Sequence, residues 1–122
     1  MTCTQNSIIN LTKPPGPTSF DMVCSVKKIL QVKKAGHIGT LDPLAEGVLP
    51  ICLNRSTRII QFLSPLEKTY HATLELGTAT DTQDVTGQVI ETRDPTPVTE
   101  EEVRQVIQSF TGEQEQVPPM YS

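Results

Sequence analysis

The chain has 122 residues, 36% of them hydrophobic and 20% charged, enough for one core and too few for two independent ones. No apolar run approaches the ~20 residues of a membrane span, and the start MTCTQNS lacks a basic-then-apolar secretion signal, so a soluble, cytoplasmic protein without a membrane partner is expected. The net charge of −4 hides an asymmetry: residues 1–70 carry eight basic and four acidic side chains, residues 71–122 two and ten, so a polyanion is steered to the first part.

In chain order, Ser7 to Leu11 reads as a short strand, and Lys13-Pro14-Pro15-Gly16-Pro17 as a stiff loop. Thr18 and Asp21 have capping-box spacing, and Phe20, Val23, Val26, Ile29 and Leu30 recur at helical intervals, predicting a helix to about Val32. Lys33 to Gly47 lacks periodicity and reads as a loop. The run Val48 to Leu53 reads as a buried strand despite Pro50, and Arg55 to Leu63 as a short helix. Clean alternation predicts a strand over Tyr70 to Leu76, with a polar loop from Gly77 to Gly87 and a strand at Gln88 to Thr92 pairing back on it. Thr99 and Glu102 open a second helix, carried by Val103, Val106, Ile107 and Phe110 at i, i+3, i+4 and i+7. The end, Val117 to Ser122, reads as an extended tail that was cut rather than finished.

Chemistry concentrates in Lys33 to Gly47, KKAGHIGTLDPLAEG. Gly39 permits backbone torsions closed to other residues, and Pro43 pushes Asp42 out of the helical region, so the carboxylate is presented from a turn. Gly36-His37-Ile38-Gly39, with Lys33 and Lys34 before it, also matches the GXXG clamp of KH modules. That match leaves open a noncatalytic RNA-binding or RNA-folding module built on the same basic loop. Tyr70 is either a core ring or a ring that stacks on a nucleobase. His37, a single histidine without a second ligand, makes a poor metal site. Cys3, Cys24 and Cys52 include no C-x-x-C pair and read as reduced thiols. Ser25-Val26-Lys27-Lys28 lacks the partner motifs of an S-x-x-K enzyme, and Asp81 to Asp84 lacks calcium-loop spacing. With no P-loop or G-x-G-x-x-G either, no metal, nucleotide or other cofactor is expected.

The segments Asn10-Leu11-Thr12-Lys13-Pro14-Pro15-Gly16-Pro17-Thr18-Ser19, Gly36 to Pro43, Gly47-Val48-Leu49-Pro50, Lys68-Thr69-Tyr70 and Gly77 to Asp84 together resemble the bacterial tRNA pseudouridine-55 synthases of the TruB type. The resemblance covers nearly the whole chain. It implies an α+β fold, a mixed, largely antiparallel sheet with packed helices, and an RNA-modifying isomerase that converts a uridine in the T-loop of tRNA to pseudouridine without a cofactor. Asp42 matches the catalytic aspartate, acting on the sugar either by attacking the anomeric carbon or by removing a ribose proton. Tyr70 matches the tyrosine that packs on the flipped base, and His37 the histidine that holds the opened T-loop. Gly39, Thr40, Leu41, Lys33 and Lys34 complete the expected substrate-binding set, and Lys13 and Pro14 match a motif expected to be mainly structural. The family more often has glycine near Asn54 and lysine near Arg58. Its chains also run on past Ser122 to an arginine expected to pair with the catalytic aspartate. Residues 1–122 are therefore expected to be the amino-terminal portion of a catalytic domain, monomeric when complete, and inactive or nearly so alone.

Overall fold

The computed structural model describes residues 5–63 and 67–117, which fall in two units, residues 1–69 and 70–122. The first unit holds β1 (Ile8–Lys13), α1 (Ser19–Leu30), β2 (Ala35–His37), β3 (Gly47–Leu53), a 3₁₀ turn over Asn54–Ile59 and the short α2 (Ile60–Leu63). The second holds β4 (Thr78–Thr80), β5 (Val89–Thr92) and α3 (Glu100–Ser109). Every strand pair among the described residues is antiparallel, and with the helices this is the α+β class expected from the sequence.

In the first unit β3 is the central strand, in the order β1-β3-β2. Its apolar run follows from that position: Leu49, Ile51, Cys52 and Leu53 are all buried. Pro50 has no amide donor, and the β2 ladder stops beside it, its last register pair being His37 with Ile51; the Pro50 carbonyl still accepts from the Ile38 amide at 2.9 Å. β1 alternates, with Ile9, Leu11 and Lys13 turned inward and Ile8, Asn10 and Thr12 exposed. That phase places a lysine where an apolar side chain is usual, and Lys13 is fully buried.

The helix α1 starts at the expected capping box, with the Asp21 amide donating to Thr18 Oγ1 at 3.1 Å and the Thr18 amide to Asp21 Oδ2 at 2.8 Å. Its inward stripe differs from the one expected. Ser19, Val23 and Val26 are buried, whereas Phe20 and Ile29 are 67% and 75% exposed. The helix is turned so that Ser19 faces inward, where its hydroxyl bonds Leu41. Gln31, in the left-handed conformation, ends α1 and lets Val32 fold back into the core. That core joins Val23, Val26, Val32, Leu41, Leu49, Ile51 and Leu53. The segment read as an unstructured loop from Lys33 contains β2, which pairs Ala35 to His37 with β3. Cys24 is exposed and Cys52 buried, both as free thiols; Cys3 lies outside the described residues, as does the expected tail beyond Val117.

In the second unit β4 and β5 pair antiparallel with an irregularity between Ala79 and Thr80, so β5 finds its partner inside the expected polar loop. The strand expected over Tyr70 to Leu76 is absent: these residues form no ladder among the described residues, and Leu74 is 78% exposed. Alternation selects a strand only where another strand accepts its amides and carbonyls. α3 carries the expected capping box, the Thr99 amide donating to Glu102 Oε2 at 2.8 Å and the Glu102 amide to Thr99 Oγ1 at 3.3 Å. Val106, Ile107 and Phe110 are exposed, and no described side chain in residues 70–117 is buried.

The two capping boxes set an acid response. Hydrogen bonds from Thr18 hold the Asp21 carboxyl below its ordinary range, and those from Thr99 do the same for Glu102. A depressed native value means the stabilisation is present above the ordinary carboxylate range and is lost as pH falls through the lower, native one. Helical circular dichroism is therefore expected to decline on acidification below that range, and Asp21→Asn with Glu102→Gln to lower helicity at neutral pH and flatten the decline. An unchanged acid limb in the double variant would show that the caps do not set it.

Candidate active site on the aspartate turn

Asp42 sits at the start of a turn closed by the Ala45 amide donating to the Asp42 carbonyl at 3.0 Å. The backbone on both sides is pinned to the first unit. Before Asp42, Ser19 Oγ accepts from the Leu41 amide at 2.9 Å and donates to the Leu41 carbonyl at 3.0 Å, while the Leu41 side chain lies in the core. After it, the Pro43 carbonyl accepts from the Gly16 amide at 2.7 Å and from Lys13 Nζ at 2.9 Å. Lys13 Nζ also donates to the carbonyls of Ala45 at 2.8 Å and Pro14 at 2.9 Å, so three acceptors take the three donors of one ammonium. No carboxylate lies within ion-pair distance of it among the described residues; carbonyl dipoles solvate the charge.

The Asp42 side chain is treated differently from the other aspartates. Asp21 accepts from Thr18, Asp81 from the Gln88 amide, Asp84 from Thr82 and Thr86, and Asp94 from Thr96. The Asp84 and Asp94 carboxyls lie below their ordinary range chiefly through the hydroxyls of Thr86 and Thr96. The Asp42 carboxylate is exposed and accepts no hydrogen bond among the described residues. Its backbone is fixed and both its oxygens are available to a substrate.

Two further sequence-selected residues lie beside the turn. Gly39 has φ +70, a torsion in which any other residue is strained, and a Cβ built there would stand 2.7 Å from Lys68 Cε, so the flexible end of that lysine would have to move aside. His37 Nδ1 donates to the Gly39 carbonyl at 2.8 Å, since that oxygen can only accept, which leaves Nε2 without a partner among the described residues. The Thr40 carbonyl accepts from Lys68 Nζ at 2.6 Å. Leu41 is 9% exposed, and its side chain supports the turn from the core. Lys33 and Lys34 are exposed just ahead of β2, with side chains that form no ion pair among the described residues. Lys34 and Arg58 edge a pocket of about 560 Å³ also lined by Thr57 and Gln61; Asp42 is not part of its lining. Tyr70 begins the second unit and is 56% exposed. No group of three or more His, Cys, Asp and Glu able to hold a metal ion occurs among the described residues.

Ser19, Lys68 and Arg58 were not singled out by their chemistry in the sequence. Ser19 had a signal, a polar residue four positions before Val23 on the stripe that turns inward. Lys68 had none beyond its place in Lys68-Thr69-Tyr70, and Arg58 none beyond standing where the family more often has lysine.

Residues 27–122 match the family model described as TruB family pseudouridylate synthase, N-terminal domain. The chain belongs to the TruB family. Among curated TruB relatives it is 53% identical over 117 residues to tRNA pseudouridine synthase B of Clostridium tetani, covering 96% of this chain and 40% of that protein. It is 47% identical over 121 residues to tRNA pseudouridine synthase B of Bacillus subtilis, covering 96% of this chain and 38% of the relative. The chain thus spans about two fifths of the length of these relatives. Among solved structures it resembles a chain in a Cbf5-Nop10-Gar1 complex (TM-score 0.65, 39% identity, 94% of this chain and 30% of that one). It also resembles a chain of an H/ACA RNP bound to a substrate RNA containing 2'-deoxyuridine (TM-score 0.62, 36% identity, 91% and 29%).

Replacing the buried ammonium tests the anchoring of the turn. Lys13→Met retains volume but takes the Lys13 donor from the Pro14, Pro43 and Ala45 carbonyls, leaving Pro43 with the Gly16 amide alone, and is expected to cost roughly 2–4 kcal/mol of stability. The urea unfolding midpoint measures this; a shift within error would mean that the three carbonyls find water at no cost.

Proposed function

We propose that this chain is the amino-terminal portion of the catalytic domain of an RNA-modifying isomerase that converts a uridine in the T-loop of tRNA to pseudouridine. The observation that carries the proposal is the exposed Asp42 carboxylate, free of hydrogen bonds among the described residues, on a backbone held by Ser19, Gly16 and Lys13. Membership of the TruB family and the names of its relatives support the reaction class.

In the reaction the bond between ribose C1' and uracil N1 breaks, the base rotates, a bond from C1' to C5 forms, the C5 hydrogen leaves as a proton and N1 takes one up. No atom is gained or lost, so neither oxidant nor reductant enters. The Asp42 carboxylate acts on the ribose, and its free oxygens suit either attack or proton removal. The target must leave the stack to reach it, and Tyr70 supplies a ring for the everted base. His37 holds the opened loop, and Gly39, Thr40 and Leu41, which lead directly into Asp42, flank the nucleotide's approach. Lys33 and Lys34 meet phosphates, and the complete protein works as a monomer in the cytoplasm, where tRNA is found. Because the chain spans about two fifths of its relatives, the guanidinium that orients Asp42 comes from the remainder of the domain, and residues 1–122 alone turn over little or nothing.

In the full-length protein, Asp42→Ala is expected to lower turnover by roughly 10²–10⁴-fold or more while tRNA binding is largely kept, since a carboxylate near a polyanion adds little affinity. Uridine tritiated at C5 provides the assay, because rejoining through C5 expels the label. Full turnover by Asp42→Ala would refute the catalytic role of Asp42, whereas label retained by the parent protein would exclude the reaction and favour the noncatalytic RNA-binding or RNA-folding module. Separately, Lys33→Glu with Lys34→Glu is expected to weaken tRNA binding and reduce the salt slope by about one to two phosphate contacts. A slope equal to that of the parent protein would place both lysines off the RNA path.

A further inference from the structure

We propose that Ser19 is a positioning residue, holding the peptide that precedes Asp42 so that the carboxylate meets the ribose. This rests on the assignment of Asp42 as the catalytic group. Ser19 is 2% exposed, and its hydroxyl both accepts from the Leu41 amide and donates to the Leu41 carbonyl, at 2.9 and 3.0 Å. A single side chain therefore satisfies both backbone polar groups of the residue next to Asp42. Neither bond is part of a helix or a strand ladder. They join α1 to a turn 22 positions along the chain.

The placement of Ser19 makes this clamp stiff. It is the first residue of α1, directly after Thr18, whose capping box with Asp21 fixes the start of the helix. Val23 and Val26 on the same stripe are buried in the core, so the helix gives the hydroxyl a rigid base. On the far side of Asp42, Lys13 and Gly16 fix the Pro43 carbonyl. The two holds differ in kind. Lys13 also ties Ala45 and Pro14, so its loss loosens the loop at large, whereas the Ser19 hydroxyl hydrogen-bonds only to Leu41 among the described residues. With alanine at position 19 the Leu41 side chain stays anchored in the core, but the peptide linking it to Asp42 is free to turn. A displacement of about 1 Å at a reacting group is enough for a rate loss near 10²-fold, with little effect on contacts made to distant phosphates.

The test uses the full-length protein under single-turnover conditions, enzyme in excess, reading release of tritium from C5 of uridine in tRNA. Per bound complex this rate does not depend on the fraction of protein that folds. Ser19→Ala is expected to slow it about 10- to 100-fold while the tRNA Kd changes less than about threefold. Ser19→Cys, near in size with weaker hydrogen bonds, is expected to fall between, and it carries the test alone if Ser19→Ala does not fold. Hydrogen exchange at the Leu41 amide is expected to quicken in the same order. A rate within about twofold of the parent for the variant measured, or a loss matched by the loss in Kd, would overturn the positioning role. Asp42→Ala run in parallel separates the two claims. If it is inactive while Ser19→Ala is normal, only the Ser19 proposal fails; if it is active, the assignment of Asp42 as the catalytic group fails.

Discussion

A buried ammonium with three carbonyl acceptors governs the first unit. Lys13 stands at the inward phase of β1, where the alternation of Ile9 and Leu11 leads to an apolar site, and it is tolerated there because Pro14, Pro43 and Ala45 turn their carbonyls toward it. Charge and acceptors depend on each other. The ammonium could not stay buried without the carbonyls, and carbonyls in a proline-interrupted turn have no ladder to satisfy them. The end of β1 and the Asp42 turn, 30 residues apart, are thus held as one object. α1 adds the second hold through Ser19, and the sheet, the helix and the turn become mutually fixed.

Much of this unit could be read from the sequence because its signals are local. Thr18 with Asp21 and Thr99 with Glu102 capped helices as their spacing required, and the apolar run of β3 placed the central strand. What escaped was set by partners distant in the chain. β2 is three residues long and exists because β3 offers it an edge, and no periodicity can show in so short a segment. On α1, Val23, Val26 and Leu30 turn inward as their spacing required, but Phe20 and Ile29 do not, since Phe20 carries the stronger apolar signal while Ser19 has the buried partner. At the candidate site, Asp42, His37 and Gly39 were legible as a chemically rich stretch. The residues that hold the turn were harder to see, because their work is done through backbone groups that a sequence does not display.

The second unit shows the same limit from the other side. Its strand signal at Tyr70 to Leu76 and its helix signal at Glu100 to Ser109 both stand out in the sequence, yet only the helix forms. A helix closes its hydrogen bonds within itself and can be capped by its own Thr99 and Glu102, whereas a strand needs a neighbour. β4 and β5 confirm this, having formed where two segments could meet across a tight polar loop knitted by Asp81 and Asp84. That loop spends its carboxylates on amides and hydroxyls of its own residues.

Asp42 presents the opposite arrangement. A carboxylate can be held still in two ways: by hydrogen bonds to its oxygens, as Asp84 is by Thr86 and Thr82, or by fixing the main chain that carries it. The first way stabilises the ionised form, lowering both basicity and nucleophilicity, and occupies the lone pairs a reaction would use. The second leaves them available and puts the cost elsewhere, here in a buried lysine and a buried serine. The same sequence uses the first device for its structural aspartates and the second for the aspartate on the Gly39 to Pro43 turn. That division of labour leaves both Asp42 oxygens open to a substrate, and it explains why the residues that hold the Asp42 backbone lie far from it in the chain.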